Sequence, residues 1–79
     1  MRFLSQVEKD KISEIASRRA PDLVSIVETI GTRPLSLNDR EALRETIADE
    51  LVEAGLGEDD EPNLYGLALE TLIDKLGAI

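Results

Sequence analysis

Carboxylates are the side chains of this sequence numerous and clustered enough to suggest chemistry. Asp and Glu together make up 17 of its 79 residues. Four form the unbroken run Glu58-Asp59-Asp60-Glu61, and four more, Glu41, Glu45, Asp49 and Glu53, recur at every fourth position. A general acid–base pair needs two carboxyl groups in contrasting environments, so that one pKa is raised and the other is not. Every Asp and Glu here falls at a position expected to be exposed, or within an acidic run, and no such contrast is expected. Calcium loops place oxygen ligands at alternating positions around a glycine turn and close with a bidentate Glu. The 58–61 run lacks that spacing, so no metal site is assigned to it. Its leading reading is helix N-terminal capping, because negative charge is favourable beside the positive end of the macrodipole. Contact with a partner is the second reading, and the two can coexist.

Other reactive groups are scarce. Without Cys or His there is no thiolate nucleophile, imidazole base, disulfide or ordinary zinc site. No lysine is placed by sequence to activate a serine. Gly55 and Gly57 are followed by acidic residues that would repel a phosphate. Neither an enzyme nor a cofactor is expected.

The series Glu41, Glu45, Asp49, Glu53 has no local explanation. On a helix it forms a ridge that drifts slowly around the axis. Each of its three like-charged pairs costs an isolated helix roughly 0.2–0.5 kcal/mol. Lys at position 45 or 53 would replace repulsion by attraction, and the ridge lies beside the core stripe, where packing forbids nothing. A solvated face, contact with a basic protein, and internal pairing with Arg18, Arg19 or Arg33 are the three readings. The charge is also lopsided. Residues 1–44 hold eight basic and seven acidic side chains; residues 45–79 hold Lys75 and ten acids, for a formal total of −8.

The elements that would carry these residues are helical. Twelve Leu, seven Ile and four Val face only Phe3 and Tyr65 as aromatics, a composition that argues against a sheet. Ala20-Pro21-Asp22, Gly31 to Pro34, Gly55 to Gly57 and Pro62-Asn63 punctuate four segments of helical period. Helices are expected near 5–19, 22–30, 37–54 and 63–76, in one domain spanning 1–79. In the first, Leu4, Val7, Ile12, Ile15 and Ala16 fall loosely on one side, and Glu14 pairs with Arg18 at i,i+4. Pro21 suits the first turn of the second, and Gly31 its end. The third has capping boxes at Ser36 and Asn38, the stripe Leu43, Ile47, Leu51 and Ala54, and a stop at Gly55. The fourth has the stripe Tyr65, Leu69, Leu72 and Leu76, with Gly77 as terminator and Leu67 pointing away. The fold class is therefore all-α, a compact bundle of about four short helices.

Function follows from charge more than from motif. The acidic balance opposes free nucleic acid and anionic membrane as partners. Arg33, Arg40 and Arg44 superficially evoke a helix-turn-helix, but the exposed face of the third helix is acidic and the connection before it is long. No apolar run approaches a membrane span, and the start of the sequence lacks a signal-peptide pattern, so a soluble cytoplasmic chain is expected. The expected role is a small acidic module, an adaptor or inhibitor, that engages a basic protein through its C-terminal half. Glu41, Glu45, Asp49, Glu53 and the 58–61 run supply the charge, and Tyr65 and Leu67 the holding contacts. A helical homodimer or accessory subunit that completes a thin core is the alternative, and a DNA-binding regulator the third reading.

Overall fold

A computed structural model of the chain describes residues 4–30, 32–57, 59 and 61–78. The first helix, α1 (Gln6–Arg19), starts at a reciprocal cap. The Glu8 N–H donates to Ser5 Oγ at 3.2 Å, and the Ser5 N–H donates to the Glu8 carboxylate at 2.9 Å, so two donors without helical partners are satisfied at once. The helix ends at Ala20, ahead of Pro21, which cannot donate to a continuing ladder.

Pro21–Leu23 forms a 3₁₀ turn that leads into α2 (Val24–Glu28). The helix expected over 22–30 is therefore shorter and tighter than its apolar pattern implied. Thr29 is the cause: its hydroxyl donates to the Ile26 carbonyl at 2.7 Å and its N–H reaches the same oxygen at 3.0 Å. Such side-chain competition closes the last turn. Gly31, the expected stop, lies outside the described residues. Lys9 of α1 donates to the Ile30 carbonyl at 3.0 Å, which fastens this end to the first helix.

The longest helix, α3 (Leu37–Ala54), is capped by Ser36, whose Oγ accepts from the Asp39 N–H at 3.1 Å. Gly55 ends it with right-handed backbone, φ −98° and ψ −2°. The chain then doubles back: the Gly57 N–H donates to the Glu61 carbonyl at 2.7 Å and the Asn63 N–H to the Gly55 carbonyl at 2.9 Å. Asn63 Oδ1 accepts from the Gly66 N–H at 2.8 Å and so caps α4 (Leu64–Ala78). Gly77 does not terminate α4, contrary to the sequence expectation. Its backbone is not left-handed and it sits against the Arg44 guanidinium inside the helix.

The architecture is all-α and forms one body, with a Cα radius of gyration of 12.1 Å, near the roughly 12 Å of a compact chain this long. Ile12 and Ile15 of α1, Val27 of α2, Leu43 and Ile47 of α3, and Leu69 and Leu76 of α4 are the largest fully buried side chains. Helices α3 and α4 share the most extensive contact, while α1 packs on α2 and α3 and meets α4 sparsely. The α3–α4 contact is close because glycines face each other, and a Cβ on Gly66 would overlap the Gly55 carbonyl oxygen. Val7 does not join the α1 core face. It is 77% exposed, since five residues at about 100° each place it far around the axis from Ile12. Among the described residues, no helix is long and apolar enough to cross a membrane.

Candidate functional site

One carboxylate organises the polar interior. Glu50 of α3 is 3% exposed, and three groups converge on it from two other helices. Arg19 Nε donates to Oε1 at 2.7 Å, Arg18 Nη2 to Oε2 at 3.2 Å, and the Tyr65 hydroxyl to Oε2 at 2.7 Å. Arg19 reaches onward to Glu53 at 2.6 Å, and Arg18 lies 3.9 Å from Glu14. Lys11 stands 4.9 Å above the Tyr65 ring and 3.7 Å from Glu14. The network thus joins α1, α3 and α4. Burial pushes the Glu50 carboxyl up, but the hydrogen bonds from Tyr65, Arg19 and Arg18 outweigh it and hold the pKa down at about 2. Bonding to Glu53 and Glu50 raises the Arg19 guanidinium above its usual range. Burial, reinforced by Glu50, pushes the Tyr65 phenol up. A carboxylate so far below neutrality holds charge; it does not shuttle protons at physiological pH.

Glu50 overturns the expectation that every Asp and Glu is exposed. The signal was present in the spacing: Leu43, Ile47, Glu50 and Ala54 recur at four, three and four residues, so Glu50 sits on the apolar stripe. The adjacent pair Arg18-Arg19 at the end of α1 is the matching signal, because a buried carboxylate needs cations.

The acidic ridge divides once it is placed. Glu53 is neutralised by Arg19, one of the three arginines considered for internal pairing, and Glu41 lies 3.4 Å from Arg44, which was not among them. Glu45 and Asp49 are exposed and form no ion pair among the described residues. They share the outward face of α3 with Val52, which is 68% exposed. In the acidic loop, Glu58 and Asp60 lie outside the described residues. Asp59 and Glu61 are exposed, and Asp59 Oδ1 accepts the Glu61 N–H at 3.4 Å. Asn63, rather than this run, supplies the side-chain cap of α4. Among the described residues no cluster of three or more carboxylates could hold a metal ion.

Tyr65 is half-buried with its hydroxyl committed to Glu50, so it serves the network instead of offering a free ring at a surface. Leu67 is 51% exposed, and Leu64, which the stripe analysis passed over, is 87% exposed beside it. Of the three arginines considered for DNA, Arg33 is exposed, while Arg40 and Arg44 are half-buried. They are not gathered on one outward helix face.

A groove runs between α1 and α4, opposite α3. Val7 and Lys11 line one wall, Ala68 and Thr71 the other, and Leu72 forms the floor of an open trough of about 560 Å³. Lys75 closes one end by bonding Glu8 at 2.6 Å, which lowers the Glu8 pKa chiefly through that hydrogen bond. The stack of Lys11 on Tyr65 closes the other.

Fold and site together define a small all-α bundle with a salt-bridged interior and an acidic exterior. Compared with protein-family models, with curated proteins and with solved structures, the chain matches none.

Proposed function

We propose that the protein is an acidic binding module, an adaptor or inhibitor without chemistry of its own, that engages a basic protein. The supporting observation is how the chain disposes of its cations. Lys9, Lys11, Arg18, Arg19, Arg44 and Lys75 each bond an oxygen of the same chain. The surplus of negative charge is thereby left facing outward, with Glu45 and Asp49 on the far side of α3 from the core. Such a surface attracts a cationic partner and discriminates against acidic ones. It also disfavours nucleic acid, because cations already held by carboxylates are poorly placed to neutralise phosphates.

The test is reversal of Glu45 and Asp49, which form no ion pair among the described residues. The double variant E45K/D49K and the wild-type chain are each used to capture proteins from cells of the source organism, with captured species quantified by mass spectrometry. A basic protein held by the wild type and lost by the variant is the expected result. If every captured protein is retained at the same level, the reading fails.

A further inference from the structure

The groove between α1 and α4 is apolar at its base and carries carboxylates along its α1 edge. Leu72, at 4% exposure, forms the floor. Val7 at 77% exposure on one wall, with Ala68 and Thr71 exposed on the other, leaves the trough open along its length. The apolar strip continues outward on α4 through Leu64 and Leu67. On the α1 side the outer edge carries Asp10 and Glu14, both exposed. The cations near the trough are already engaged, Lys11 with Glu14 and Lys75 with Glu8.

We infer that this groove seats one amphipathic helix of the basic partner. The apolar edge of that helix lies on Val7, Ala68, Thr71 and Leu72, and its flanking lysines or arginines meet Asp10 on the α1 rim, beside Glu14, which Lys11 and Arg18 already share. Dimensions agree with such an occupant. From Val7 to Glu14 the wall extends about 10 Å, two helical turns at 1.5 Å per residue, which matches the i, i+4, i+7 anchors of a docked helix. A small apolar molecule would need most of its surface enclosed, and walls as exposed as these do not enclose it. A second copy of this chain would bring two bodies of formal charge −8 together, which their mutual repulsion opposes. The inference rests on the proposed preference for a basic partner. It uses a different face, because α1 and α4 pack on the side of α3 away from Glu45 and Asp49, so the two can fail separately.

The experiment titrates the full-length, isotope-labelled chain with a synthetic peptide of roughly 14 residues bearing leucines at i, i+4 and i+7 and lysines on both flanks. A control peptide carries glutamates in place of the lysines. Amide shifts are expected to concentrate in 7–14 and 67–75. The exposed substitution Ala68→Glu and the acidic peptide are each expected to weaken binding by about tenfold or more, and the rim reversal D10K by several-fold. E45K/D49K leaves the position of the shifts unchanged. The inference is overturned if the shifts fall on the outward face of α3, if A68E binds as tightly as the wild type, or if the glutamate peptide binds equally well. A wild-type mass of two chains that A68E reduces to one would also overturn it, by making the groove a dimer contact. Loss of a captured partner in E45K/D49K with full retention in A68E removes the groove and keeps the acidic module. The opposite pattern, with the peptide still on the groove, removes the role of α3.

Discussion

Replacing Glu50 by Gln keeps the side-chain volume and removes one charge where Arg18, Arg19 and Tyr65 converge. The folded carboxyl titrates at about 2 against an ordinary 4.5. A depressed carboxyl pKa stabilises the fold fully above its unfolded value, and that contribution is lost as pH falls toward the folded value. At 1.36 kcal/mol per unit, its ceiling is about 3 kcal/mol. Breaking a buried pair typically costs about 3–5 kcal/mol. The loss here is smaller, because Arg18 is half exposed and Arg19 keeps Glu53 at 2.6 Å. We expect E50Q to destabilise by about 2–3 kcal/mol at neutral pH. That is a large share of the roughly 5–15 kcal/mol available to a domain, and lowers Tm by about 10–20 °C. Urea unfolding followed by circular dichroism, on both proteins near neutral pH and in steps below pH 4.5, measures it. The gap between the two should close as acid titrates the wild-type carboxyl, while the Glu8–Lys75 contribution, common to both, cancels. A gap under about 0.5 kcal/mol at neutral pH, or one that acid leaves unchanged, refutes the reasoning.

Two glycines of α4 should respond in opposite directions to Ala. Helix propensity favours both changes by about 1 kcal/mol, but a Cβ at Gly66 overlaps the Gly55 carbonyl. Backbone cannot swing aside as a side chain can, so G66A should lose about 1–3 kcal/mol net. At Gly77 the added Cβ would lie 3.5 Å from Arg44 Cζ, ordinary contact, and G77A should gain about 0.5–1 kcal/mol. Thermal denaturation of both variants decides this, and shifts of the same sign would sink it. Within the acidic ridge, E45K should stabilise by a few tenths to about 1 kcal/mol, since both like-charged neighbours become attractive. E53K should destabilise, because it sets a cation beside Arg19 and removes a 2.6 Å pair. Equal effects at the two positions in urea melts would show that the ridge is uniform after all.

The helical content was legible because strong start signals coincide with apolar period. Ser36 caps α3 through the Asp39 N–H as its type predicts, and Ser5 with Glu8 forms a reciprocal cap of the same kind on α1. Errors cluster where a single residue serves tertiary contact. Val7 looked like core in a loose pattern, yet its angular position puts it on a groove wall. Thr29 shortened α2 through a side-chain bond that period cannot reveal. Gly77 read as a stop, whereas the helix runs through it to Ala78 and its backbone is not left-handed. Gly66 went unnoticed because close backbone approach depends on which helices pair, and pairing is non-local.

The candidate site was legible only in part, for a related reason. Counting charges along the chain finds the lopsidedness but not which charges are compensated. Glu53 and Glu45 differ in nothing local; Arg19, 34 residues before Glu53, distinguishes them. Spacing alone therefore overstated the ridge, and a carboxylate on an apolar stripe was the better clue to where arginines would go.

The placement of that hub bears on the groove. Apolar packing is non-directional and lets helices slide to bury more surface, whereas bonds to a fixed carboxylate specify separation and register. Glu50 ties α1 through Arg18 and Arg19, and α4 through Tyr65, to one point on α3. Lys11 on Tyr65 and Lys75 on Glu8 then pin the two outer helices to each other at the ends of the trough. Helices held by polar contacts at these points do not close over Ala68 and Val7, although covering them would bury apolar surface. An all-apolar hub is often the more stable choice. A small chain that instead devotes two arginines and a tyrosine to one carboxylate keeps α1 and α4 in fixed register, with the trough between them open.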